Sequence, residues 1–305
     1  MTKTIMTTGC LLAVMVLYAS ACSPVALIGP NASPVPLSSI SALIAKLSSP
    51  DPHIRTYAAE YAGFYGDDPD KARLVDPLVA ALTDPDSGVR AFAAQSLGQL
   101  DIYDPRTIKI LTSWLTEAGH SDDELSNGIR TLGVFPRYTS GATPGLIRIM
   151  MVRKPGYPSP TYHLIRQSAI ETLSAIGDPV AIPYLLSVFI SPGELPWLRK
   201  SAAIGLAKYR QAANCSVPYV IPILNSSEPE IRINSAIIIN SATGNNFPDG
   251  NRDTWDSGNL DNYFSKGGNS EFLIVSASEK WWQAKGQFGQ WPPCQNGLDG
   301  KPVIP

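Results

Sequence analysis

One arrangement of polar and apolar positions recurs along this 305-residue chain. A turn containing Pro or an acid is followed by an aliphatic residue and an Arg, with small residues three and four places beyond. It reads Asp51-Pro52-His53-Ile54-Arg55 with Ala58 and Ala59, then Asp86-Ser87-Gly88-Val89-Arg90 with Ala93 and Ala94, an offset of 35 residues. It returns at Ile165-Arg166 with Ala169, at Leu198-Arg199 with Ala202 and Ala203, and at Ile231-Arg232 with Ser235 and Ala236, these later copies standing 33 apart. A period of this size marks an array of stacked units, none of which can bury its apolar face alone.

Within each period the apolar spacing predicts two antiparallel helices. Leu43 and Leu47 share one stripe, the turn falls at Ser49-Pro50-Asp51-Pro52, and Ile54, Ala58 and Ala62 continue on the second helix. The next unit repeats this with Leu78, Leu82, Val89, Ala93 and Leu97. A third, degenerate unit has Leu111, Leu115, Ile129 and Leu132, but Leu125 where Arg90 stands. The fourth runs from Leu146 and Ile147 through a longer turn, Pro155 to Pro160, into Arg166 and Leu173. Leu185, Leu186 and Leu206 mark the fifth, and Ile221, Leu224 and Ile238 the sixth. The expectation is an all-α solenoid of about six helical hairpins over residues 37–242.

The segment DPDSGVRAFAAQSLGQL at 84–100 resembles the HEAT repeat, in the short form shared with phycobilisome-lyase-like proteins. That resemblance implies a packing role for the small residues, which let successive second helices approach closely. It also implies a ladder of turn acids and arginines bonding neighbouring units, onto which Asp51, Arg55, Asp86 and Arg90 map, with Arg166, Arg199 and Arg232 in line and Glu228 a looser match to Arg232. An anion-binding ridge is the alternative use of these arginines. The lyase-like branch implies a second class of activity, an enzyme acting on a chromophore or a modified side chain.

Aligned positions Glu60, Gln95, Arg130 and Glu171 form a column of mixed sign on the second helices, beside a second column, Thr56, Ala91, Ser126, Gln167 and Lys200. A lining without one dominant charge suits a protein segment or polar polymer better than DNA. The net charge agrees. It is −2, and residues 1–22 remove one Lys and no acid, so no basic excess exists to neutralise phosphates.

The N-terminus places the array. Lys3 precedes the apolar run Leu11 to Leu17, which ends in Ala19-Ser20-Ala21 before Cys22. A charged start, a short apolar core and small residues at the cleavage point read as a secretory signal peptide. Ala19-Ser20-Ala21-Cys22 resembles the bacterial lipobox, with Ala19 where Leu is usual, which implies a lipid on Cys22 as the first residue of the mature chain. Cleavage after Ala21 with release is the alternative. Ser23 after the Cys implies outer-membrane sorting rather than retention at the inner membrane. Residues 23–36, with Pro24, Pro30, Pro34 and Pro36, read as an extended tether.

Residues 243–305 depart from the repeat, being rich in Gly, Asn and Asp yet holding Trp255, Trp281, Trp282 and Trp291, four of the six tryptophans. Thr243 to Phe247 and Lys280-Trp281-Trp282 resemble the closing segment found after bacterial HEAT arrays, so an irregular Trp-rich cap is expected over the last apolar face. Exposed tryptophans stacking on glycan rings are the alternative. Of the four cysteines, Cys10 leaves with the signal peptide and Cys22 is the lipidation candidate, so only Cys215 and Cys294 remain to pair in an oxidising compartment or to stay as buried thiols.

Little chemistry is legible. Asp249-Gly250-Asn251-Arg252-Asp253 has oxygen ligands alternating as at the start of a calcium loop, but Thr254 and Leu260 occupy the positions that need Gly and Glu, so it reads as a polar turn. His53, His120 and His163 are scattered outside any metal spacing, and the chain has no nucleophile elbow or phosphate loop. His120-Ser121-Asp122 reads as a helix-start turn. The sequence therefore points to a non-enzymatic scaffold without catalytic, metal or cofactor residues, anchored in a bacterial cell envelope and binding a protein partner.

Overall fold

The computed structural model describes residues 39–152, 160–245 and 269–294, and every regular element among them is a helix. The signal peptide, Cys22, the tether, the Asp249–Asp253 turn and Trp255 lie outside the described residues. Five hairpins follow one another: α1 (Ile40–Leu47) with α2 (Pro52–Ala62), α3 (Val75–Ala81) with α4 (Ser87–Gln99), α5 (Pro105–Trp114) with α6 (Asp122–Val134), α7 (Thr143–Met151) with α8 (Pro160–Ile176), and α9 (Ile182–Ile190) with α10 (Pro196–Lys208). In the sixth unit the first helix is broken. Pro218 and Pro222 each remove a backbone donor, and that limb becomes a 3₁₀ stretch (Arg210–Ser216), one short turn α11 (Val217–Val220) and another 3₁₀ stretch (Ile221–Asn225) before α12 (Pro229–Thr243).

The turns explain where second helices begin. Asp51 caps α2 by accepting from the His53 N–H at 2.9 Å, Asp86 caps α4 by accepting from Val89 at 3.0 Å, and Ser121 caps α6 in a reciprocal box with Glu124. Pro52, Pro196 and Pro229 each open a second helix, where a missing N–H costs nothing.

Second helices pack in sequence, α2 on α4, α4 on α6, and so on to α12. Their backbones come close enough for a buried hydroxyl of one helix to donate to a main-chain carbonyl of the one before. Ser96 reaches Ala59 O at 2.6 Å, Thr131 reaches Ala94 O at 2.7 Å, Thr172 reaches Ile129 O at 3.2 Å, Tyr209 reaches Leu173 O at 2.9 Å, and Ser241 reaches Ala207 O. Gly98 shows what this closeness demands, since a Cβ there would lie 2.7 Å from Thr131 Oγ1. The alanines after each Arg serve the other side of the seam. Ala58, Ala59, Ala93, Ala94, Ala169, Ala202 and Ala203 are all buried, whereas Ile54, which the helical pattern places with Ala58 and Ala62, stands exposed.

Arginines clasp the seam from outside, with different acids from those the repeat resemblance implies. Arg55 Nη1 donates to Ser49 O and Pro50 O at the end of its own first helix, while Nε and Nη2 reach Asp84 in the next unit at 2.7 and 2.8 Å. Arg90 holds Asp84 O and Pro85 O and reaches Glu124 at 2.5 Å. Arg166 donates to Met150 O and pairs with both oxygens of Glu194, and Arg199 donates to Phe189 O and reaches Glu228 at 3.1 Å. Arg232 donates to Ser226 O at 2.7 Å. Asp51 and Asp86 are thus helix caps rather than rungs, because their carboxylates are spent on the N–H groups of the helix they open. The rungs are Asp84, Glu124, Glu194 and Glu228, and Glu228 serves the arginine of the preceding unit, not Arg232.

The closing segment contains α13 (Asn269–Ala284), which packs on α12 through the fully buried Ile274 and Ser278. After it the chain is bonded back to the start of the sixth unit by a Cys215–Cys294 disulfide that closes 79 residues of sequence. Chain-entropy arguments give such a loop roughly 4 kcal/mol.

The Arg166–Glu194 pair is buried on both sides, unlike the half-exposed Arg199–Glu228 pair. Removing only one partner strands a buried charge, so Arg166→Ala is expected to cost about 3–5 kcal/mol. The double change Arg166→Met with Glu194→Leu should recover most of that loss. Urea unfolding followed by circular dichroism measures both.

Candidate functional site

The surface available to a ligand is the outer stripe of the second-helix row. Where α4 and α6 meet at their outer edge, the side chains are amides, one cation and a valine. Gln95, Gln99, Asn127, Arg130 and Val134 line a shallow hollow of about 180 Å³, floored by Gly98 and Thr131. Its depth follows from the seam. With Gly98 on one helix and a Thr hydroxyl turned inward on the other, no side chain fills the groove between them.

Asn127 organises this hollow. Its Nδ2 is buried and donates to Ala91 O at 3.0 Å, which turns Oδ1 toward Arg130, whose Nη2 donates to it. The guanidinium is thereby held by one of its five donors, and Arg130 itself is exposed. A forked cation next to two primary amides can accept a carboxylate or a run of main-chain carbonyls, and the amides can also donate to or accept from a peptide backbone.

Of the column read from sequence, Gln95 and Arg130 share this hollow. Glu60 and Glu171 do not line it. Glu171 lies on α8 and accepts from Gln167 at 2.8 Å, while Glu60 stands half-buried on α2. The column is therefore a pair with an outlier at each end. Gln99 and Asn127, which sequence reading passed over, complete it. The signal that could have found them is the 35-residue register, which puts Asn127 beside the inward-turned Thr131 and Gln99 one turn past Gln95.

One turn before Asn127 on α6 stands Glu124, an acid of the ladder. Glu124 is fully buried, a setting that by itself raises a carboxyl pKa. Arg90, the Ser121 N–H and His120 all bond its oxygens and together outweigh that, holding it at about 2. The His120 ring in turn lies tilted against Trp114 with ring centroids 5.0 Å apart.

The tryptophans of the closing segment cluster on one another. Trp281, Trp282 and Trp291 are half-buried, their ring centroids lie 6.0–6.4 Å apart, and Trp291 Nε1 donates to Gly286 O at 3.0 Å. Among the described residues no group of three His, Cys, Asp or Glu side chains is placed to hold a metal ion, and no helix is long and apolar enough to cross a membrane.

Since Glu124 has a depressed pKa in the folded state, its contribution is complete above the ordinary carboxylate value near 4.5 and is lost as pH falls from there toward 2. Acid unfolding monitored by circular dichroism should therefore show a loss across that window that Glu124→Gln, destabilised at neutral pH, no longer displays.

Residues 40–124 match the family model of HEAT repeats, and residues 165–191 match that of the PBS lyase HEAT-like repeat. Two solved structures of engineered proteins share the fold. One is 18% identical with a TM-score of 0.51, covering 66% of this chain and 95% of that one. The other is 17% identical with a TM-score of 0.52, covering 79% of this chain and 66% of that one. No curated protein matches the sequence. Such a repeat scaffold fits a protein-interaction role, and its architecture is typical of non-enzymatic scaffolds. Repeated hairpins, a seam of alanines and glycines and the two family matches lead to one assignment: the chain is a HEAT-repeat protein.

Proposed function

We propose that this protein is a non-enzymatic scaffold, held by a lipid on Cys22 at the outer membrane of a bacterial cell envelope, that binds an extended segment of a partner protein along its second-helix row. The observation that carries the reading is the hollow between α4 and α6, which Arg130 and Gln95 line together with Asn127, Gln99 and Val134. A groove of amides and one guanidinium matches the alternating donors and acceptors of an extended peptide with an acidic residue. The signal-peptide pattern and Cys22 support the location, because the mature N-terminus would be the lipidated residue.

The partner is expected to be captured from the membrane fraction by a photo-crosslinker placed at Gln99, with the crosslink mapping to an extended segment. Arg130→Ala, which removes a charged hydrogen-bond donor, should weaken that complex by about tenfold or more. An undiminished complex would move the binding site elsewhere on the array. Intact mass of protein recovered from membranes reports the anchor separately, since a chain starting at Cys22 with added acyl mass is expected and an unmodified chain starting there would show release.

A further inference from the structure

In the interior of the array one stripe of each second helix faces the unit before it, and the 35-residue register identifies that stripe. On α4 it is Val89, Phe92, Ser96 and Gln99. Val89 and Ser96 are 0% exposed, Ser96 donates to Ala59 O, and the Gln99 amide lies against Gly63. On α6 the same positions are Glu124, Asn127, Thr131 and Val134, of which the first three bond Arg90, Ala91 O and Ala94 O of the preceding unit. The first two positions carry Val89 and Phe92 on α4, but at the third both interior helices place a hydroxyl, Ser96 or Thr131, that lets two backbones meet, and at the fourth neither carries a ring.

The first unit has no described unit before it, and its stripe is of another kind. Stepping back 35 residues from α4 gives Ile54, Tyr57, Tyr61 and Phe64, which are 40, 40, 36 and 73% exposed. The rings form one continuous surface, Tyr57 to Tyr61 at 4.2 Å and Tyr61 to Phe64 at 5.6 Å between centroids. Repeat arrays end in units with a polar outer face, because an apolar end would draw in another copy. The first described unit instead presents three aromatic rings and an isoleucine.

We infer that the N-terminal end face of α2 is a self-association surface, on which a second copy of the chain packs its own α2 about a two-fold axis. The partner's nature follows from continuity, since in each interior unit the stripe at this register takes a second helix of this same chain. Its orientation follows from the other end, where α13, the Trp281–Trp282–Trp291 cluster and the Cys215–Cys294 bond occupy the final unit. A head-to-tail stack is therefore blocked, leaving a head-to-head contact, which closes as a dimer and cannot propagate. Antiparallel pairing of two α2 helices places Ile54 of one copy against the Tyr61 and Phe64 region of the other, with Tyr57 near the axis. It also sets the N-terminal end of each helix beside the C-terminal end of its mate, the favourable arrangement of helix dipoles.

Sedimentation velocity of the full chain, over a range of micromolar concentrations, tests this against the variant Tyr61→Ser with Phe64→Gln, which installs the residues α4 carries at those positions. The full chain is expected to sediment at twice the chain mass. The variant should be monomeric, with an unchanged helical spectrum and a melting temperature that no longer depends on protein concentration. A benzophenone crosslinker at Tyr57 should join two copies through peptides containing residues 53–73. A monomeric full chain would overturn the inference, as would a dimer that the double variant leaves intact. So would a chain that dimerises only after the residues preceding Ser39 are removed, since these would then be what covers the face. The outcome is independent of whether the hollow at Arg130 binds a partner.

Discussion

The structure depends on how closely successive second helices approach. A serine or threonine hydroxyl can reach a carbonyl of the neighbouring helix only if the main chains are nearly in contact, and Ser96, Thr131, Thr172 and Ser241 all do so. That proximity dictates alanine and glycine on the facing surfaces, and it expels any side chain large enough to prop the helices apart. It also turns each hydroxyl inward, so polar groups that would otherwise reach solvent become internal. The hollow at Arg130 is a consequence, being the space left over a seam built from Gly98 and Thr131.

Against this seam the arginines act as clasps between three pieces of chain. Arg55, Arg90, Arg166 and Arg199 each tie the carbonyl end of their own first helix to their second helix and reach a carboxylate of the next unit, Arg55 and Arg166 with two donors. Pairing two charges away from water returns little net stability, so their contribution lies elsewhere. A fork with two parallel donors meets a carboxylate in one orientation, as Arg166 meets Glu194, and that orientation exists only when the next unit is seated at its own rotation. The clasps therefore read the stacking geometry that the small residues permit.

What the sequence disclosed follows from this division. Residues whose role repeats at a constant interval, the Arg and the alanines behind it, were legible because the period displays them five times. The acids were not, since Asp84, Glu124, Glu194 and Glu228 lie 29, 34, 28 and 29 residues beyond their arginines. A long side chain absorbs such drift, and an acid that caps its own helix, as Asp86 does, is the more visible candidate. Helix α13 was hidden for another reason. Only Ile274 and Ser278 are fully buried among its residues with described side chains, one turn apart, too thin a stripe to stand out among Gly and Asn. Ile54 was placed on the buried stripe because it fits the helical spacing, and a period reports which positions are equivalent without telling which copy has no described neighbour before it.

In a one-dimensional array each junction is held by its own contacts, so the units need not be equally secure. The third junction differs from its neighbours in two respects visible together. Leu125 stands where the arginine clasp would be, and the hydroxyl rung is stretched in sequence, Thr172 reaching back 43 residues to Ile129 O where Ser96 and Thr131 each reach 37. The seam nevertheless keeps its form, because Gly133 lies opposite Thr172 with a would-be Cβ only 3.0 Å from Oγ1, as Gly98 lies opposite Thr131. An insertion between units is tolerated when it falls in the turn, since the glycine and the hydroxyl that set the spacing are on helices whose own period is intact. The glycine and the hydroxyl need only the two helices themselves, whereas a clasp needs an acid at the right place outside them, and at this junction small residues rather than charges hold the spacing.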